Sequence, residues 1–177
     1  MTLFRWLRRH TIVTAAALGL VTSVACRDGT SSPSELTPTF TGQWAGQPWA
    51  GEASAILVSG GAAGDTLYVF GEHRPPGQDW TDQYFRIRAV VDGPGTFVLG
   101  ANDAEFAHLL GGDVRTSTYS GSRPDEGTLT ITTYEGPGGI VEGRVAFGAE
   151  STDSHAPYGP HARLENGWFR ANLRLLP

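Results

Sequence analysis

Residues 127–147 read GTLTITTYEGPGGIVEGRVAF, and their alternation decides the fold class. Leu129 and Ile131 fall on one side of an extended chain, while Thr128, Thr130, Thr132 and Tyr134 fall on the other. That two-residue period is the mark of a strand with one buried face. Between Glu135 and Gly139 the chain carries Pro137, which has no N–H for a ladder, among glycines able to take positive φ, so it reverses there. In the second arm Val141, Val145 and Phe147 share a face, and Gly143 among them marks a bulge or a close neighbouring chain. A lone hairpin is marginal in water, so the flanking sequence must supply further strands.

Working outward, the same period recurs. Phe85, Ile87, Ala89 and Val91 alternate inward against Tyr84, Arg86, Arg88 and Val90 outward. Asp92–Gly95 then turns the chain toward Phe97 and Leu99, which predicts a second hairpin. Near the carboxyl end Phe169, Ala171, Leu173 and Leu175 face in, and Trp168, Arg170, Asn172 and Arg174 face out. Trp44 and Trp49, set among Gly42, Gly46 and Pro48, mark a first strand and a corner, and Ala104–Leu110 reads as a strand with His108 as a packing residue. The expected architecture is all-β: an antiparallel β-sandwich or flattened β-barrel of about 8–10 strands, preceded by a signal-peptide helix.

The chain of 177 residues holds 24 Gly and 11 Pro, which suits a turn-rich β domain. All 13 basic residues are arginine, so neither a Schiff-base lysine nor a P-loop lysine exists. Formal net charge is −5; without Arg5, Arg8 and Arg9 of the amino-terminal segment, 10 basic residues face 18 acidic ones, a net −8. Such a surface argues against nucleic acid as a partner.

That amino-terminal segment has a basic start, an apolar run from Thr11 to Val24 and small residues before Cys26, the only cysteine. A single cysteine makes no internal disulfide. Its place after Ser23, Val24 and Ala25 resembles the lipobox of bacterial lipoproteins, in which the cysteine is diacylated and becomes the new amino terminus. Leu is usual where Ser23 stands, and ordinary signal-peptidase cleavage is the alternative. Residues 1–25 are thus read as a signal peptide, 26–38 as lipidated cysteine and flexible tether, and 39–177 as one β domain. Fully extended, the tether spans up to roughly 40 Å. Arg27 follows the cysteine, where Asp would favour inner-membrane retention, and this resemblance implies an outer-membrane anchor.

With these features assembled, the mature domain resembles a family of uncharacterised bacterial β-rich lipoproteins. The likeness is carried by Gly46, Pro48 and Trp49, by Gly95, Phe97, Leu99 and Gly100, and by Gly127, Leu129 and Ile131. Ile140, Glu142, Gly143 and Phe147 continue it, and Asn166, Gly167 and Phe169 end it, over most of residues 42–173. Val145 stands where a second Phe is usual. The resemblance implies an envelope location and a β fold, and brings no activity with it.

No nucleophile elbow, His-Glu-x-x-His, Walker loop or dinucleotide fingerprint occurs. The leading expectation is a noncatalytic, membrane-anchored binding domain without a cofactor. Its candidate face comprises Trp168, Arg170, Asn172 and Arg174 with Tyr84, Arg86, Arg88 and Tyr134, since aromatic rings beside Arg and amide groups suit a glycan, peptide or protein partner. The alternative is a hydrolase or metal-dependent enzyme built on His73, Asp79, Asp82, His155 and His161, which requires at least three of them to converge. A structural spacer or inhibitor is the third reading.

Overall fold

Ala45 and Gly46 both take positive φ, 50° and 77°, as the central residues of a type I′ hairpin turn must. They join β1 (Thr39–Trp44) to β2 (Gln47–Val58). The corner expected between the two tryptophans is therefore a tight hairpin, with Trp44 opposite Gln47. These strands open a computed structural model that describes residues 37–61, 64–121 and 127–176. The expected signal-peptide helix, Cys26 and the expected tether as far as residue 36 lie outside the described residues.

Further along come β3 (Asp65–His73), β4 (Gln83–Val91), β5 (Gly95–Leu99), β6 (Ala104–Leu110) and β7 (Val114–Gly121). The hairpin of residues 127–147 follows as β8 (Gly127–Tyr134) and β9 (Ile140–Glu150), and β10 (His161–Leu176) ends the series. All ten form one sheet, mostly antiparallel, curling into a near-barrel ring, so the sandwich gives way to the barrel. Around the wall the neighbours run β2, β3, β4, β6, β7, β9 and β10, and β10 returns to β2. β8 branches from β9, and β5 pairs with β8.

The closing seam is built by β1. It pairs with β2 along one edge and β10 along the other, and its first residue, Thr39, lies opposite Arg170. Past that point β10 meets β2 directly and in parallel, Leu173–Leu176 against Ala55–Val58. To follow the curve, β10 shifts register between Leu164 and Gly167, with Asn166 at φ 53°, a conformation that Asn tolerates.

The ring is filled by aromatics. Phe40 stacks on Phe85 with centroids 5.4 Å apart, and Trp44 lies 4.4 Å from Phe106. Phe147, Phe169 and Tyr119 are fully buried beside them. Two glycines make the room: a Cβ at Gly71 would stand 2.7 Å from the Phe40 ring, and one at Gly143 would stand 2.4 Å from the Thr130 carbonyl oxygen and 2.8 Å from the Phe169 ring. Gly143 is thus the close-approach glycine that its place in the strand suggested.

Three expectations are corrected. The second hairpin does not form, because the edge of β4 that β5 would need is occupied: β6 pairs with it as far as Ile87, and Arg88 N–H donates to the Asp103 carbonyl at 2.6 Å. β5 pairs with β8 instead. Tyr134 does not face outward with Thr128 and Thr130. A bulge between Ile131 and Thr133 shifts the parity, Tyr134 lies opposite the buried Val141, and its ring packs against the core. Leu175 is 52% exposed, since β10 runs on past the last layer of the core.

Candidate functional site

The expected binding residues divide between two parts of the wall. Tyr84, Arg86 and Arg88 lie on β4, and Trp168, Arg170, Asn172 and Arg174 on β10, with β2 and β3 between them in the sheet. They do not form one face.

On β4 the side chains are tied inward to the wall. Tyr84 Oη donates to Glu105 Oε1 at 2.5 Å, Arg86 Nη2 to Glu105 Oε2 at 2.7 Å, and Arg115 approaches Glu105 Oε1 at 2.9 Å. The Arg115 guanidinium also lies over the Tyr84 ring, 5.5 Å from its centroid. Glu105 is buried, and its carboxylate is satisfied from three sides. Burial, reinforced by the hydrogen bond to Glu105, pushes the Tyr84 phenol up to about 12. Arg88 donates twice to Asp103 Oδ1, at 2.9 and 2.6 Å, and the Asp103 hydrogen bond and charge raise its pKa further. These groups brace strands that the backbone already pairs.

β10 differs. Arg170 is bonded to Glu142, which also accepts from Thr133 Oγ1 at 3.0 Å. Trp168, Asn172 and Arg174 remain exposed. Trp168 lies opposite Arg144, Arg144 opposite Thr130, and Thr130 opposite Thr96, so one row crosses β10, β9, β8 and β5 on the outer face. Cross-strand neighbours at this spacing present a continuous strip. The Thr96 and Thr130 hydroxyls meet at 3.1 Å. Around Trp168 the row dips into a groove of about 460 Å³ lined by Thr128, Thr130, Arg144 and Asn166.

The sequence reading missed these four lining residues. The parity of the hairpin arms already sends Thr128, Thr130 and Arg144 outward, so the first three were within reach. Asn166 was not, because it sits on a bulge that alternation does not announce. Chemically the groove offers an indole face, a guanidinium, hydroxyls and an amide. That set stacks on a sugar ring or an aromatic side chain and hydrogen-bonds around its rim.

Of the residues for the enzymatic alternative, two come together. His73 Nδ1 and Asp82 Oδ1 are 2.6 Å apart, about a third and a quarter exposed. Asp79 is exposed on the turn between β3 and β4. His155 donates its backbone N–H to Asp153 Oδ1 at 2.9 Å, and His161 Nδ1 lies 3.4 Å from Glu150 Oε1. Among the described residues no group of three or more His, Cys, Asp or Glu could hold a metal ion. His108 packs edge-on to Phe106 and against Tyr158, with burial lowering its pKa. Comparison of the chain with protein-family models, with curated proteins and with solved structures finds no match.

Proposed function

We propose that this protein is an exported envelope lipoprotein, anchored through Cys26 to the outer membrane, whose β domain works by binding a partner and not by catalysis. The binding surface is the outer wall of β8, β9 and β10 around Trp168, and the partner is a glycan, peptide or protein. The observation that carries the reading is the groove itself: an exposed indole in register with Arg144 and Thr130, unlike the β4 wall, whose Arg86 and Arg88 are already bonded to Glu105 and Asp103. Aromatic and Arg side chains at the centre of a depression are where binding energy concentrates.

A thermal-shift screen of glycans and peptides tests it. A ligand that raises the unfolding midpoint of the wild-type protein and leaves Trp168→Ala unmoved supports the assignment. If no compound moves the wild type, or Trp168→Ala responds equally, the wall is not the site. The anchor has its own test, since labelled palmitate should enter the wild-type chain and not Cys26→Ser.

A further inference from the structure

A second opening on the molecule shares no lining residue with the Trp168 groove. At one end of the ring β1 and β3 finish, β2 and β4 begin, and the loop of residues 151–160 lies against them. The opening is a pocket of about 250 Å³ bounded by Trp44, Pro48, Trp49, His73, Gln83 and Tyr158. Sites for drug-sized molecules span roughly 300–1,000 Å³. This one holds a single ring.

Its polar groups have fixed directions. Trp49 Nε1 lies 2.9 Å from Gln83 Oε1, and an indole N–H only donates, so the amide oxygen must face it and the amide NH₂ is the group left to meet a ligand. His73 Nδ1 lies 2.6 Å from Asp82 Oδ1. A carboxylate only accepts, so Nδ1 carries a proton, and in the tautomer with that proton alone Nε2 is an acceptor. His73 and Gln83 are direct cross-strand partners on β3 and β4. Their Cβ atoms are therefore about 5 Å apart, and one donor and one acceptor stand side by side at the rim.

A hydroxyl both donates and accepts, and two neighbouring hydroxyls on one ring match such a pair. Among the described residues no arginine lines the pocket, and the nearby carboxylate is held by His73, so none of them selects for an anion. Trp49 and Tyr158 supply apolar surface for the C–H face of the ring.

An independent observation points the same way. Trp44, 1% exposed, and His108 each bury a ring nitrogen, Nε1 and Nε2, without a hydrogen-bond partner among the described residues. Both rings pack against Tyr158, at centroid distances of 6.2 and 5.5 Å. Buried polar atoms left unsatisfied are rare and costly. Tyr158 sits on a loop outside the strands, its N–H bonded to Tyr119 Oη at 2.9 Å, and its side chain borders both the pocket and these two rings.

We propose that the barrel mouth is a second ligand site, selective for one neutral sugar ring held between Gln83 and His73 with the Tyr158 ring at its edge. The test is an NMR titration of the full chain with D-glucose, D-galactose, D-mannose and N-acetyl-D-glucosamine, following the Trp49 indole N–H. Inorganic phosphate and tetramethylammonium serve as charged controls. At least one sugar should shift that resonance saturably. Gln83→Glu keeps an acceptor for Trp49 but removes the amide donor, and should weaken binding at least about tenfold. Trp168→Ala should leave this affinity unchanged, which separates this site from the wall. If no sugar shifts Trp49 in the wild type, if Gln83→Glu binds as tightly, or if a charged control binds better, the proposal is wrong. The wild-type titration decides by itself should Gln83→Glu fold poorly.

Discussion

Two walls of this ring carry the same outward pattern, aromatic and arginine side chains alternating along a strand, and they are fastened in opposite ways. The β4 wall is held from outside, where Glu105 gathers Tyr84, Arg86 and Arg115. The β8–β10 wall is held mainly from inside, where the Phe169 ring lies over Gly143; outside, Glu142 ties Arg170 and Thr133, and the face around Trp168 is left open. Alternation tells which way a side chain points. It does not tell whether its charge is already engaged, and only an unengaged surface has chemistry to offer a partner.

The sharpest way to break the contrast is Gly143→Ala. The added Cβ meets a backbone carbonyl that cannot swing away, so the inner fastening should lose about 3 kcal/mol, read as a lower urea midpoint. Glu105→Ala attacks the outer fastening. Arg86 and Arg115 are substantially exposed and will rehydrate, which limits the loss to about 2 kcal/mol in the same measurement.

Alkaline titration probes the same network without mutation. The folded Tyr84 phenol stays protonated up to about 12, whereas the unfolded one ionises near the ordinary tyrosine value of 10.0. Between those values the native state binds more protons, so stability is complete below pH 10 and falls as pH rises toward 12. Burial also raises Tyr119, Tyr134 and Tyr158, so a phenolate absorbance titration should show several late tyrosines, of which the Tyr84 step moves earlier in Glu105→Ala. The smallest effect belongs to Trp168→Ala, which should change stability by less than about 0.5 kcal/mol. A large loss there would make Trp168 a structural residue and remove the contrast.

The strands were legible because facing is a local property. Leu129, Ile131, Phe85, Ile87, Phe169 and Leu173 announce their burial through their neighbours, and all are buried. What stayed hidden depends on distant or irregular backbone. The pairing of β5 with β8 needs Asp103 to have claimed the edge of β4 first, and Tyr134 turns inward at a bulge with no sequence mark. Glu105 gave no sign, because three partners from β4 and β7 had to converge on it before burial became affordable. The His73–Asp82 pair was in view as two residues among five. Its partner Gln83 was not, since what distinguishes that amide is the indole across the sheet that fixes its orientation.

The seam formed by β1 also sets a schedule. Thr39 and Arg170 are neighbours in space yet about 130 positions apart in the chain, a separation that slows folding. A polypeptide emerging from a ribosome can zip β2 to β3 and β3 to β4, but the edge of β1 waits for β10. Until then Phe40 and Trp44 lack one side of their packing, and the cylinder stays an unclosed sheet. A chain that assembles this late keeps its two ends unjoined for most of its synthesis.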